Sequence, residues 1–150
     1  MEETKMTQET PAVPAKKLTK KDITKSMWIY YAGAELSNSY ERLQSLVFCA
    51  SMTPVLKKLY DEELSAALKR HLVFFNTEGI LGAIIQGITI SMEEQKANGE
   101  NITDDAITGI KTGLMGPVAG MGDAIIWAAA SPSLPTFTRA MTSKCGASEG

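Results

Sequence analysis

Residues 113–127, GLMGPVAGMGDAIIW, set four glycines, one proline and one carboxylate among apolar side chains. Few folds accommodate such a run. Glycine-rich segments cradle phosphate only in a definite pattern, and the pattern is missing. Gly82 and Gly87 have the P-loop gap but are followed by Ile88 where lysine is needed, and Gly120-Met121-Gly122 opens a GxGxxG motif that carries Ile125 in its last place. Gly109 with Gly113, and Gly116 with Gly120, instead have the four-residue spacing that lets helices approach closely. Pro117 together with Gly116, Gly120 and Gly122 predicts an interrupted helix, which is tolerated at membrane depth only against protein or a wet cavity. Asp123 would cost about 3 kcal/mol in hydrocarbon, so it is predicted to face water at a helix N-terminus or a polar cavity. In a soluble protein the same residue would simply N-cap residues 124–130.

The remainder of the chain reads as all-α. Residues 18–130 carry helical periodicity, with no solenoid repeat and no run of short alternating strands. Thr19 and Asp22 form a capping-box pattern ahead of Ile23, Met27, Tyr30, Tyr31 and Ala34. A second helix is predicted from near Ser39, with Leu43, Leu46, Val47 and Ala50 along one side and an end or bend at Pro54. A third is predicted from Asp61, with Glu62 and Glu63 in its first turn. Its stripe of Leu64, Ala67, Leu68, His71, Leu72 and Phe75 leaves Ser65, Lys69 and Arg70 on the other side. Residues 79–92 form an apolar run that stops at Glu93 and Glu94 and is too short to cross a bilayer, which takes about 20 residues. It suits a buried helix or half of a re-entrant hairpin. Asn98-Gly99 predicts a turn or C-cap, and Thr103 the next N-cap. Residues 112–130 are almost long enough to span, apart from Pro117 and Asp123.

His71 is the only histidine and the obvious candidate for proton or phosphoryl transfer. It lies inside an apolar stripe, and no acid, cysteine or second histidine stands near it in sequence as a partner. A packed, hydrogen-bonded imidazole is the better reading. Cys49 and Cys145 are far apart and lack metal-ligand spacing, so a reduced environment fits better than a disulfide framework, and either is read as a small buried apolar residue without a functional role. With 17 acidic against 15 basic residues, the overall charge gives no nucleic-acid footprint. The basic residues are unevenly placed, however. Lys16, Lys17, Lys20, Lys21 and Lys25 gather beside Trp28 on one short helix, a combination suited to an anionic membrane surface or, equally, to an ordinary solvated face.

Several blocks resemble a known family. KKLTKKDI, NSYERLQSL, LKKLYDEELSAALKRHLVFFNT, MEEQKANGE and GIKTGLMGPVAGMGDAIIW are similar, in order and spacing, to the N-terminal half of the IID membrane subunit of mannose-type sugar permeases of the bacterial phosphoenolpyruvate-dependent phosphotransferase system. The resemblance implies a hetero-oligomer with a IIC subunit in the cytoplasmic membrane, the N-terminal region on the cytoplasmic side, forming the path by which hexoses enter. It implies phosphoryl transfer on separate IIA and IIB chains, so that this chain is not an enzyme and needs no cofactor or metal. On that reading Gly116, Pro117, Gly120, Gly122 and Asp123 shape a broken or re-entrant helix near the sugar path or the IIC interface, with Glu93 and Glu94 near the cytoplasmic mouth.

The expected organisation is a disordered leader over residues 1–15, the N-terminal part of a IID domain over 16–130, and a disordered tail over 131–150 whose serine, threonine and proline content is unlike the family. That ending, together with a mean hydropathy near zero for the whole chain, is read as the sign of a truncated and incomplete domain. The alternative is a soluble helical interaction module without a transport role.

Overall fold

The computed structural model describes residues 16–130, which fold into five helices: α1 (Lys20–Gly33), α2 (Ser45–Leu59), α3 (Leu64–His71), α4 (Gly82–Ala97) and α5 (Asp104–Ala130). No strand occurs among the described residues, as the periodicity predicts. The leader and the tail, with Cys145, lie outside them. Thr19 and Asp22 start α1 as expected: the Thr19 amide donates to Asp22 Oδ2 at 3.0 Å and its hydroxyl donates to the same oxygen at 2.6 Å. Asp22 also holds Lys58 at 2.6 Å. Lys58 first, then Thr19, brings the Asp22 carboxyl down to about 2. At the other end of the pair Gly33 lies against Val47, so α1 and α2 run antiparallel.

The inward face of α1 is Ser26, Tyr30 and Ala34, with Ile23 packed at its edge, whereas Met27 and Tyr31 are exposed. Ser26 takes the inward place because its hydroxyl has partners there. It donates to Ser51 O at 2.6 Å and accepts from Gln86 Nε2 at 2.7 Å, which joins α1, α2 and α4 in one buried polar knot. Gln86 Nε2 also reaches Ser51 Oγ at 2.9 Å.

Helix α2 begins at Ser45, not near Ser39. Leu43 has a φ of 47°, in the left-handed region, and bridges to both Ser39 and Phe75, so the segment before Ser45 is a pinned turn. The buried face is correspondingly Val47, Phe48, Met52, Val55, Leu56 and Leu59, and Leu46 and Ala50 face outward. Pro54 neither ends nor visibly breaks this helix. Proline removes the amide that would bond the Ala50 carbonyl, and Ala50 is exposed, where water can take over. The same holds for Pro117. Helix α5 is continuous from Asp104 to Ala130, so the interruption predicted there does not occur. The carbonyl left unpaired belongs to Gly113, which is also exposed.

Helix α3 starts at Leu64, three residues after Asp61, with Glu62 and Glu63 ahead of its first turn. Helix α4 carries the apolar run onward through Glu93 and Glu94 to Ala97 and ends at Asn98, with Gly99 at φ 93° as the residue that reverses the chain. Thr103 then caps α5, its hydroxyl accepting the Ala106 amide at 3.2 Å. No described helix is long and apolar enough to cross a membrane.

The core centres on Phe48. Its ring lies 4.6 Å from that of Phe75, 5.9 Å from His71 and 6.3 Å from Tyr30. Phe48→Ala is expected to lower unfolding stability by about 3–5 kcal/mol, whereas Leu46→Ala, on the outer face, is expected to cost under about 1 kcal/mol. Urea denaturation of the two variants side by side measures the helix register.

Candidate functional site

Helix α5 has three faces, and they separate the residues singled out in the sequence. One face packs inward: Ile107, Lys111, Leu114, Val118 and Gly122. Gly122 is a genuine close approach, since a Cβ there would lie 2.6 Å from Glu78 Cβ. A second face, Ala119, Asp123 and Ile126, closes a cleft of about 430 Å³. The third, Gly109, Gly113, Gly116, Pro117 and Gly120, is exposed, and a Cβ on any of its glycines would meet nothing within 4 Å.

The cleft is built from the two ends of the α1–α2 connection and from the α3–α4 loop. Glu35 and Asn38 follow α1, Gln44 precedes α2, and Asn76, Thr77, Glu78 and Gly79 precede α4. Gln44 holds the two connections together. Its amide nitrogen donates to Thr77 O at 2.9 Å, and its carbonyl accepts the Thr77 amide at 3.2 Å. Glu78 fixes the turn into α4: its carboxylate accepts the amides of Ile80 at 2.9 Å and Leu81 at 2.7 Å, and its backbone carbonyl accepts the Gly82 amide at 2.9 Å. Gly82 follows because a Cβ would sit 2.2 Å from the Tyr30 hydroxyl. The lining therefore has three carboxylates, Glu35, Glu78 and Asp123, three side-chain amides and no lysine or arginine. Such a surface takes hydrogen bonds from hydroxyl groups and repels phosphate. Among the described residues no cluster of acidic, histidine and cysteine side chains could hold a metal ion.

Glu93 and Glu94 are not part of this cleft. Glu93 is fully buried and lies in an ion network. Arg70 grips it with Nε at 2.9 Å from Oε1 and Nη2 at 3.1 Å from Oε2, Tyr60 donates its hydroxyl at 2.7 Å, and His71 Nε2 lies 2.9 Å from Oε1. Arg70 goes on to Asp104 at the head of α5, which also meets Lys96. Arg70 was expected on the solvated side of α3; its side chain is only 7% exposed because this carboxylate draws it in. Glu94 accepts the Leu18 amide at 2.8 Å and so ties down the entry to α1.

His71 is packed and hydrogen-bonded, as its stripe predicts, but its partner stands 22 residues away and left no local signal. Burial pushes the imidazole down, so the ring is neutral and donates through Nε2, while Nδ1 has no partner. Burial would raise Glu93; hydrogen bonds from His71 and Tyr60 and the charge of Arg70 overcome it and hold the carboxyl below its ordinary range. Lys111 completes this region. It is buried, donates to His71 O at 2.9 Å, and rests 4.2 Å above the Phe48 ring and 5.0 Å above that of Phe75. Glu93, His71 and Lys111 are fully buried and line none of the concavities described.

Of the lysines proposed for a membrane surface, Lys17, Lys20, Lys21 and Lys25 are exposed, as is Trp28. Lys16 is engaged instead, donating to Leu59 O at 2.9 Å and pairing with Asp61 at 3.1 Å. Cys49 is a buried free thiol whose Sγ lies 3.5 Å from Leu68 O.

The family model for the PTS system mannose/fructose/sorbose family IID component matches residues 17–147. The chain belongs to that family. It is 45% identical over 130 residues to the mannose-specific EIID component of Escherichia coli K12, covering 85% of this chain and 46% of that protein. It is 46% identical over 121 residues to the fructose permease IID component of Bacillus subtilis, covering 79% of this chain and 44% of that protein. A solved complex of the mannose transporter ManYZ with microcin E492 contains a chain of the same fold, with a TM-score of 0.77 and 42% identity over 86% of this chain and 48% of that one. The chain thus spans under half the length of the relatives it matches. Proteins of the IID family are membrane components of a sugar phosphotransferase system, transporter subunits and not the phosphoryl-transfer subunits.

Stability should fall on acidification in two steps. His71 and Glu93 both bind protons more weakly folded than unfolded. The unfolded chain therefore takes up the extra protons as pH drops through about 6.5 and again through the carboxylate range near 4. Glu93→Gln is expected to lower the melting temperature at pH 7 and to flatten the lower step, as read from thermal melts between pH 4 and 8.

Proposed function

We propose that this chain contributes to a mannose-type permease in the bacterial cytoplasmic membrane, where with a IIC subunit it forms the path for an unphosphorylated hexose. Phosphorylation is left to IIA and IIB chains. The observation that carries the reading is the cleft around Asp123: a small polar concavity of carboxylates and amides without a cation, suited to sugar hydroxyls and unsuited to a sugar phosphate. Its volume is in the range that holds small ligands. Asp123, with Glu35 and Asn76, would contact the sugar or line its route, and Gly122 would keep α5 close enough to Glu78 for the cleft to exist. The sealed Glu93 network holds the cleft's scaffold and takes no part in transfer.

The exposed glycine face of α5 supports the second half of the proposal. Gly109, Gly113, Gly116 and Gly120 have no neighbour among the described residues that a side chain would meet, yet they cost helix stability. A partner helix from IIC, packed at backbone distance, makes use of them. The lysines of α1 and Trp28 would rest on the anionic cytoplasmic leaflet, which puts the N-terminal region on that side. The alternative, a soluble interaction module, predicts a chain that stays in the supernatant after membrane sedimentation and ignores IIC.

In the assembled permease, Asp123→Asn is expected to raise the half-saturation concentration for sugar uptake about tenfold, the loss of one charged hydrogen bond, with unchanged expression. Unaltered uptake kinetics would remove Asp123 from the path. Gly116→Ala with Gly120→Ala is expected to stabilise the chain by about 1–2 kcal/mol in denaturation while reducing co-purification with IIC. A stabilised variant that still co-purifies fully would place the IIC contact elsewhere.

A further inference from the structure

A second concavity, of about 480 Å³, lies between α1 and α2 and shares no lining residue with the Asp123 cleft. It is lined by Ile29, Ala50, Thr53 and Pro54 and, toward the start of α1 and the end of α2, by a rim of Asp22, Lys25, Lys57 and Lys58. Lys58 is committed to Asp22, but among the described residues neither Lys25 nor Lys57 is paired with a carboxylate. The rim therefore carries an uncompensated positive charge of about two. Away from it the surface turns apolar, with Leu46 one turn before Ala50 on α2 and Trp28 beside Ile29 on α1, both exposed. The antiparallel packing of the two helices produces this polarity. It sets the lysine-bearing end of α2 beside the first turns of α1.

We propose that this groove is a discrete binding site for one anionic glycerophospholipid, whose phosphate sits between Lys25 and Lys57 and whose first acyl carbons lie over Ile29 and Pro54, leaving the Ala50 carbonyl open to water. The proposal rests on the membrane-surface reading of α1 and sharpens it. It adds residues of α2 and replaces a diffuse attraction by a site with two chemically different ends. Charge and apolar surface are separated along the groove as they are along a lipid, and a free phosphate would leave the apolar floor unused.

The test uses the full chain, with helicity checked by circular dichroism, and vesicles of phosphatidylcholine with or without phosphatidylglycerol. The wild type is expected to bind phosphatidylglycerol vesicles preferentially. Lys25→Gln with Lys57→Gln is expected to weaken that binding on the order of twentyfold. Lys17→Gln with Lys20→Gln, the same charge removed from outside the groove, is expected to weaken it only a few-fold, and Ile29→Glu is expected to weaken it without loss of a lysine. Equal losses for the two lysine pairs would overturn the site while leaving the membrane-surface reading intact. Displacement by inorganic phosphate as effective as by dispersed phosphatidylglycerol would assign the rim to small anions and overturn it. No preference of the wild type for anionic vesicles would sink the underlying reading as well.

Discussion

A carboxylate taken wholly out of water must find donors on all sides, and Glu93 finds them on two other helices. Tyr60 at the end of α2 and Arg70 and His71 at the end of α3 converge on it, and Arg70 passes the charge to Asp104, the first residue of α5. Four of the five helices are thereby indexed to one another through a single side chain. Removing one partner of such a buried pair typically costs about 3–5 kcal/mol, because the other is left charged and unpaired. The apolar core supplies cohesion, but it is tolerant of sliding; the network is not. Ser26, Ser51 and Gln86 do for α1 what Glu93 does for α3 and α5, again with polar groups that have no acceptable position except the native one.

That indexing is what gives the Asp123 cleft its shape. The cleft has walls from α5 and from two connections, and connections alone would not hold a ligand-sized concavity open. Gln44 clamps the connections to each other, Glu78 anchors one of them to α4, and the contact of Glu78 with Gly122 sets the distance to α5. Structure and sequence support here come from different residues. The glycines drew notice as breaks in a helix, yet α5 is unbroken, and each glycine is explained by what does or does not lie beside it.

Local signals were legible and distant ones were not. The capping box of Thr19 and Asp22, the C-cap at Asn98-Gly99, the Thr103 cap and the buried stripe through Ala67 and His71 depend on neighbours within a few residues, and all are present. In α1 the stripe holds at Ile23, Tyr30 and Ala34, but hydropathy favours Met27 over Ser26, and only the partners Ser51 and Gln86, far away in sequence, make serine the inward residue. Arg70 was misread for the same reason: its carboxylate lies on another helix. Proline rules exaggerated the breaks at Pro54 and Pro117 because they ignore where the orphaned carbonyl points. Asp123 was recognisable as a polar residue needing a polar surrounding, but the companions Glu35, Asn38 and Asn76 come from loops, whose course periodicity does not specify. The family resemblance covered the same segment independently of these local errors.

Lys111 has a consequence of its own. Its amine is enclosed by two aromatic faces and a single backbone carbonyl, while most other lysines of the described chain reach solvent. Acylating reagents in the surrounding water meet it only in molecules whose core has opened. The rate at which this one amine acquires a tag is therefore an internal clock for how often α5 parts from Phe48 and Phe75, readable in a mixture, in detergent or in a membrane, without any change to the sequence.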